Sequence, residues 1–299
     1  MRQIYFSTYS IAAFDPTEHA WGVAVASKFL AAGAVVAWAQ AKAGAIATQA
    51  LANVTYGPEG LAMMAAGLTA EQTLEKLLAG DPNHAHRQVG LVDKNGGVVA
   101  YTGRECNGWA GHKIGKGYTC QGNILTGGNT LEAMAEAFET ADGELADRLI
   151  AALLAGDTVG GDSRGKQAAA VYVVKPNGGY GGDNEYYLDL RVDDDPDPVH
   201  RLAGLVKLHH FFFGASKAED LLPVDTSIAI EIQTVLKRLD YYQHGINGQW
   251  DEATRSAFWA FCGVENLEER WSPDKHPELL DRVVLEFIRE RFGVSNEGF

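Results

Sequence analysis

Two hydroxyls, Thr8 and Ser10, stand on one short β-like run near the start of the chain, where Tyr9, Ile11 and Ala13 alternate with Ser10 and Ala12. A hydroxyl beside a proton acceptor can attack an amide carbonyl and form a covalent intermediate. The other residues suited to such chemistry are scattered. Ser27-Lys28 closes a second apolar run, residues 21–27, as polar support for a nucleophile or as a solvated strand end. Gln121-Gly122-Asn123 offers a backbone that a ligand can approach and an amide that can donate to a developing oxyanion, or it is a bulge held by Asn123. Asp162 and Arg164, in a glycine-rich segment, can orient a substrate carboxylate or pair with each other. Thr48 and Gln49 end a further apolar run and can form a pocket wall or a buried polar pair.

The whole chain narrows the chemistry. With 299 residues, a formal charge of −14 and a pI near 5.0, it has no basic face to release counterions from a phosphate backbone, so no nucleic-acid partner is expected. Cys106, Cys120 and Cys262 are far apart and lack metal-ligand spacing. Acidic residues 193–197 lack the spacing of a calcium loop and are stiffened by two prolines; His84 with His86 and His209 with His210 lack a third ligand. No metal and no cofactor are expected. The opening MRQIYFSTYS has no apolar stretch of signal-peptide length and no segment approaches a membrane span, so the expected location is the cytoplasm, without membrane association.

The elements that must position these residues come in blocks. A hairpin turning at Asp15-Pro16-Thr17 is followed by expected strands at 34–38 and 44–48, then helices at 57–67 and 69–80, the second opened by a Thr69/Gln72 capping box. Strands at 89–93 and 98–101 flank Lys94-Asn95-Gly96-Gly97, a tight-turn sequence. A glycine-rich strand-like stretch leads to amphipathic helices at 130–140 and 145–155, then strands at 168–174 and 186–192. Strands, paired helices, strands, paired helices and strands imply an α+β fold, a four-layer αββα sandwich. A helix at 199–213 should pack back on this domain, residues 1–213. Residues 214–225 read as a linker, and 226–299 as a small helical domain whose third apolar face spans 279–292.

The blocks GVAVASKFLAAGAVV, ATQALANVTYGPEGL, YTCQGNIL and GGDSRGKQAAAVYVV followed by LDLRVDDDPDP resemble the bacterial domain-of-unknown-function 1028 family over about residues 8–210. The hairpin with its hydroxyl is similar to that of the N-terminal nucleophile (Ntn) hydrolases, the fold the family implies. In that mechanism an N-terminal Thr, Ser or Cys supplies the nucleophile and its own α-amine the base, so Met1 to Ser7 must be lost. Family sequences tend to begin near the pattern matched by Thr8-Tyr9-Ser10-Ile11, which favours Thr8 over Ser10. Ser27, Lys28 and Asn123 then become supporting catalytic residues, with Lys28 able to depress the amine's pKa. Thr48, Gln49, Gln121, Gly122, Asp162 and Arg164 become candidate substrate contacts.

The C-terminal stretch LKRLDYYQHGINGQWDEATRSAFWAFCGVENLEERW resembles a peptidoglycan-binding domain found attached to that family. Tyr241, Tyr242, Trp250 and Trp271 can stack on sugars or fill a small core; Trp250, in a turn, is expected to be the most exposed of Tyr241, Trp250, Trp259 and Trp271, and glycan binding to be weak. Two functions follow. One is an amidohydrolase for a small or peptide-like, cell-wall-derived amide, with Thr8 as nucleophile and peptidoglycan fragments as ligands of the tail. The other is a non-enzymatic protein on an inactive Ntn scaffold, holding a metabolite or mediating assembly as a homo-oligomer.

Overall fold

The computed structural model describes residues 8–214 and 216–293. The chain divides into two compact units, Met1–Val206 and Lys207–Phe299.

In the first unit, strands β1 (Thr8–Asp15) and β2 (Ala20–Ser27) form the opening hairpin. Asp15 closes its turn by accepting from the backbone N–H groups of Thr17 and Glu18 at 2.7 and 3.1 Å. Residues 34–38, expected as a strand, divide into helix α1 (Gly33–Val36) and strand β3 (Ala37–Gln40). A short apolar run carries no periodicity that separates the two states. Packing decides it, because at Gly33 a Cβ would lie 2.3 Å from that of Ala170.

Strand β4 (Gly44–Ala50), helix α2 (Tyr56–Ala65) and helix α3 (Ala70–Gly80) come next, and Thr69 and Gln72 do form the capping box. Strands β5 (Arg87–Asp93) and β6 (Val98–Thr102) flank the Asn95-Gly96 turn, with Gly96 at φ 81°. Buried Asp93 fixes this turn and the start of α3 together, accepting from the backbone N–H groups of Asn95, Gly97 and Ala70. Strands β7 (Trp109–Gly115) and β8 (Tyr118–Leu125), helices α4 (Asn129–Thr140) and α5 (Leu145–Thr158), strands β9 (Ala168–Val174) and β10 (Tyr186–Val192), and helix α6 (Pro198–Phe213) follow.

One sheet runs β10-β9-β2-β1-β8-β7 and the other β3-β4-β5-β6. Side-chain alternation on β1 shows how they stack. Tyr9, Ile11 and Ala13 pack with Met134, Phe138, Leu149 and Leu153 of α4 and α5, joined by Val199, Leu202 and Val206 of α6. Ala12 faces the other way, into a layer with Val23, Val25, Ala45, Ala47 and Val92. Ile46 and Leu91 cover the outer face of the smaller sheet against Leu61, Met64, Leu74 and Leu77 of α2 and α3. The order is therefore αββα, as expected. Burial on both faces explains why all eight residues of β2 are buried and why its sequence is almost continuously apolar.

The second unit has a core of its own. Strand β11 (Leu221–Pro223) pairs antiparallel with β12 (Leu279–Asp281), and helices α7 (Thr226–Arg238), α8 (Glu252–Glu265) and α9 (Arg282–Phe292) complete it. Part of the segment expected as a linker is thus strand, and the run from 279 begins as strand before turning helical. Three residues of β pairing are too short to announce themselves without the distant partner. Trp250 is 9% exposed, donates its indole N–H to the Pro277 carbonyl at 2.7 Å and packs edge-on to Phe258 and Trp271. It is Trp259, on α8, that is 38% exposed. The turn containing Trp250 folds inward because Gln233 binds its backbone, accepting from the N–H groups of Asn247 and Gly248 and donating to the Gln249 carbonyl.

Candidate active site

Pairing of β1 with β2 and β8 places Thr8 next to Ser27 on one side and Asn123 on the other, all pointing into the space between the two sheets. Thr8 Oγ1 and Ser27 Oγ lie 3.1 Å apart, within hydrogen-bond reach, and Thr8 is only 3% exposed. From the facing sheet come Gln49, at the end of β4, and Gln88, near the start of β5. Gln49 Nε2 donates to Gln88 Oε1 at 2.8 Å and also reaches the Thr8 carbonyl at 3.4 Å. Asn123 Nδ2 donates to the same Gln88 oxygen at 2.9 Å. Gln88 Nε2 in turn donates to the Gly122 carbonyl at 2.8 Å.

Ser10, two residues further along β1, is fully buried and held from both directions. It donates to Gln49 Oε1 at 2.6 Å and accepts from Gln121 Nε2 at 2.7 Å. Gln121 is buried here, where its amide ties β8 to β1 and its Oε1 accepts from Thr119 at 3.1 Å. Gly90 makes room for it: a Cβ there would lie 2.1 Å from Gln121 Oε1.

Two non-glycine residues with positive φ follow directly on site residues: Ala50 at 69° after Gln49, and Ile124 at 50° after Asn123. For a β-branched side chain this is a genuine outlier, and such strain persists only where surrounding structure holds it. Ile124 is held by its N–H donating to the Asn107 carbonyl and its own carbonyl accepting from Ser163 N and Oγ. The loop after Ala50 is held by a charged cluster. Arg87 donates to Asp81 at 2.8 Å and to the Leu51 carbonyl, while Asn53 and Tyr56 also donate to Asp81. The Arg87 guanidinium holds the Asp81 carboxyl well below the usual carboxylate range.

A cavity of about 150 Å³ opens beside Thr8 and Gln49, walled by Phe29, Val35, Val36, Ala50 and Ala52. The remaining expected site residues lie around this centre. Thr48 donates to the Asn53 carbonyl at 3.2 Å, on the loop side. Asp162 and Arg164 form an ion pair at 3.0 Å, and Asp162 Oδ2 accepts from the Lys28 N–H at 2.7 Å, fixing the chain just after Ser27. The Lys28 side chain is exposed and donates to the Lys166 carbonyl at 3.1 Å.

Behind β1, on its helix side, is a second cavity of about 120 Å³ bordered by Tyr9, Asp157, Asp162 and Lys166. Burial, with Asp157 close by, keeps the Tyr9 hydroxyl protonated far above its ordinary range. Asp157, Asp197 and His200 come together near it, and the Lys166 ammonium occupies the space between the carboxylates, 2.5 Å from Asp157 and 3.5 Å from Asp197. The cluster already carries its own counter-cation.

Gln88, Gly90 and the Asp81–Arg87 pair were not among the expected site residues. A signal for Gln88 existed, since period-2 alternation on β5 puts it on the face of Gly90 and Val92, an amide among inward positions.

The family model described as "Family of unknown function (DUF1028)" matches residues 8–202, beginning at Thr8. A second model, described as "Putative peptidoglycan binding domain", matches residues 213–288. A crystal structure of a DUF1028 protein from Silicibacter pomeroyi is similar, at 31% identity and a TM-score of 0.63, over 68% of this chain and 86% of that one. No curated protein matches.

Proposed function

Because the chain belongs to the family of unknown function DUF1028, and the matched domain carries a hydroxyl at the head of the central strand, we propose that it is an Ntn-type amidohydrolase with Thr8 as nucleophile. The supporting observation is the placement of Thr8: first residue of β1, its hydroxyl against Ser27, its side chain on the wall of a cavity between the sheets. The fold and the family support the scaffold; the activity rests on this geometry.

The chemistry requires a free amine at Thr8. Breaking the Ser7–Thr8 peptide bond, by attack of the Thr8 hydroxyl on the Ser7 carbonyl and hydrolysis of the resulting ester, or by a protease, exposes it. An unperturbed α-amine titrates near pH 7.7 to 8.0, so a large fraction is basic at neutral pH. In turnover, Thr8 Oγ1 bonds to the substrate carbonyl carbon while its proton passes to the amine. The tetrahedral intermediate collapses, the carbon–nitrogen bond breaks, and the leaving amine departs with that proton. Water then cleaves the Thr8 ester and restores the hydroxyl. Ser27 orients the nucleophile. Asn123, whose amide is held in place by Gln88, is the oxyanion donor in this scheme.

The substrate class is a small or peptide-like amide. The second unit's match to a peptidoglycan-binding model supports wall-derived fragments as its ligands and as the source of such amides. Intact-mass spectrometry of the purified protein tests the reading. A chain starting at Thr8 supports it; a folded chain that keeps Met1 after exposure to extract of its own cells counts against it.

A further inference from the structure

Two cavities flank the first residues of β1, and their linings differ in kind. The one behind the sheet is bordered by Asp157, Asp162 and Lys166 and by Tyr9, which faces the helices. Among the described residues, the one between the sheets has no charged side chain on its wall. Thr8 borders this second cavity and not the first.

Among the described residues, the polar end of the uncharged cavity is formed by Thr8 and Gln49. The Gln49 amide is already committed: its oxygen accepts from Ser10, and its nitrogen donates to Gln88 Oε1, with the Gln121 carbonyl at 3.3 Å. A carboxylate or ammonium lodged against this wall would lose part of its water and meet no charged partner among the described residues, which disfavours it. An apolar group would meet Phe29, Val35, Val36, Ala50 and Ala52 and lose nothing. The space, about 150 Å³ and open to solvent on one side, is large enough to take a branched aliphatic group or a single ring. The wall is also stiff, because Ala50 sits at φ 69° and Arg87 holds the Leu51 carbonyl just beyond it.

We infer that one of the two substituents of the scissile amide is compact, apolar and uncharged, of the size of an isobutyl or phenyl group, and that Phe29, Val35, Val36, Ala50 and Ala52 select it. This rests on Thr8 being the nucleophile, but the pocket makes a separate claim about what binds. A peptide-like substrate would then present a Val, Leu or Phe side chain here, not an acidic or basic one.

The test uses the full-length protein in the processed form in which it is isolated. Two series of amides are compared, for binding by ligand-observed NMR and for turnover. The first varies the acyl group (isovaleryl, phenylacetyl, succinyl) on one amine; the second varies the amine (isobutylamine, benzylamine, β-alanine) on one acyl group. In at least one series the apolar members should bind, and be hydrolysed, at least about tenfold better than the carboxylate-bearing one, the scale of discrimination a single apolar pocket provides. Val36→Ala, which removes two methyls from the wall, should shift preference toward the phenyl member by about tenfold. Apolar binding without any turnover would uphold the pocket and sink the hydrolase. Turnover without apolar preference in either series, or a Val36→Ala protein with an unchanged ratio, would overturn the pocket and leave the hydrolase standing. Failure of every apolar member to bind would also overturn the pocket.

Discussion

The two ends of the layer between the sheets are built from opposite materials. Toward the β1–β2 turn, Ala12, Val23, Val25, Ala45, Ala47 and Val92 close it with small apolar side chains. Toward Thr8 the same strands, two to four residues along, supply Ser10, Ser27, Gln49 and Gln88, and β8 adds Gln121 and Asn123, all buried. Stability alone does not call for the second kind. A buried amide returns only a modest net gain when fully bonded and costs about 1–3 kcal/mol when one partner is lost, whereas a methyl in the same place packs without conditions. What the amides add is position: the backbones of β1 and β8 beside Thr8 accept from Gln49 and Gln88 of the opposite sheet, and the strained Ala50 and Ile124 lie where those amides end. The polar end is specified for placement, the apolar end for cohesion.

The largest effect expected from breaking this contrast is at Thr8 itself. Thr8→Ala should lower amide hydrolysis by at least ~10³-fold, while Thr8→Ser, which keeps the hydroxyl, should retain part of it. Undiminished turnover by the Ala protein would remove Thr8 from the mechanism and make Ser10 the next residue to test.

One substitution at each end separates placement from cohesion. Gln49→Leu should destabilise by about 2 kcal/mol, because the Ser10 hydroxyl loses its acceptor and Gln88 Oε1 one of its two donors, and also reduce turnover beyond what the lost folded fraction explains. Val23→Ala should cost about 2 kcal/mol through an unfilled cavity and leave the turnover of folded protein unchanged. Denaturant melts with active-site normalised rates are the measurement. Equal effects of both on the rate would erase the distinction.

Further out, Asp81 anchors the loop beyond Ala50. Its folded pKa is depressed by Arg87, so its contribution is fully present above the unfolded carboxylate value near 4 and is lost as the pH falls through the lower folded value. Asp81→Asn should therefore be less stable than wild type by about 2 kcal/mol near pH 7, the gap closing below about pH 4. A gap that stays constant from neutral to acid would mean that the charge of Asp81 has no part in holding the loop. The smallest effect belongs to exposed Lys28, whose amine donates to the Lys166 carbonyl: Lys28→Met should change the rate by less than about twofold. A tenfold loss would show that the polar end needs a positive charge as well as its amides.

The αββα order was legible in the sequence because its causes are local: amphipathic helices such as 145–155, the Asn95-Gly96 turn, and the Thr69 capping box. Thr8, Gln49, Gln121 and Asn123 could be picked out one at a time, as polar residues at the ends of apolar runs. Their convergence could not, since it depends on how β1 and β8 lie over β4 and β5, and Gln88 was missed for that reason. Residues 34–38 and Trp250 went astray by the same route. Position 33 takes glycine because Ala170 leaves no room for a Cβ, a contact from a strand far along the chain, and Trp250 is buried because Gln233, seventeen residues earlier, pulls its turn inward.

The central claim, that Thr8 is the nucleophile, is tested most directly by chemical capture. Protein released from a cleavable fusion so that Thr8 is its first residue is treated with an acylating probe, a β-lactone bearing an isobutyl group, and mapped by tandem mass spectrometry. The account predicts one stoichiometric ester on Thr8 Oγ1, absent from Thr8→Ala and slowed when the amine is protonated below about pH 6. An adduct on Ser10 or elsewhere, or labelling indifferent to the state of the amine, would contradict it.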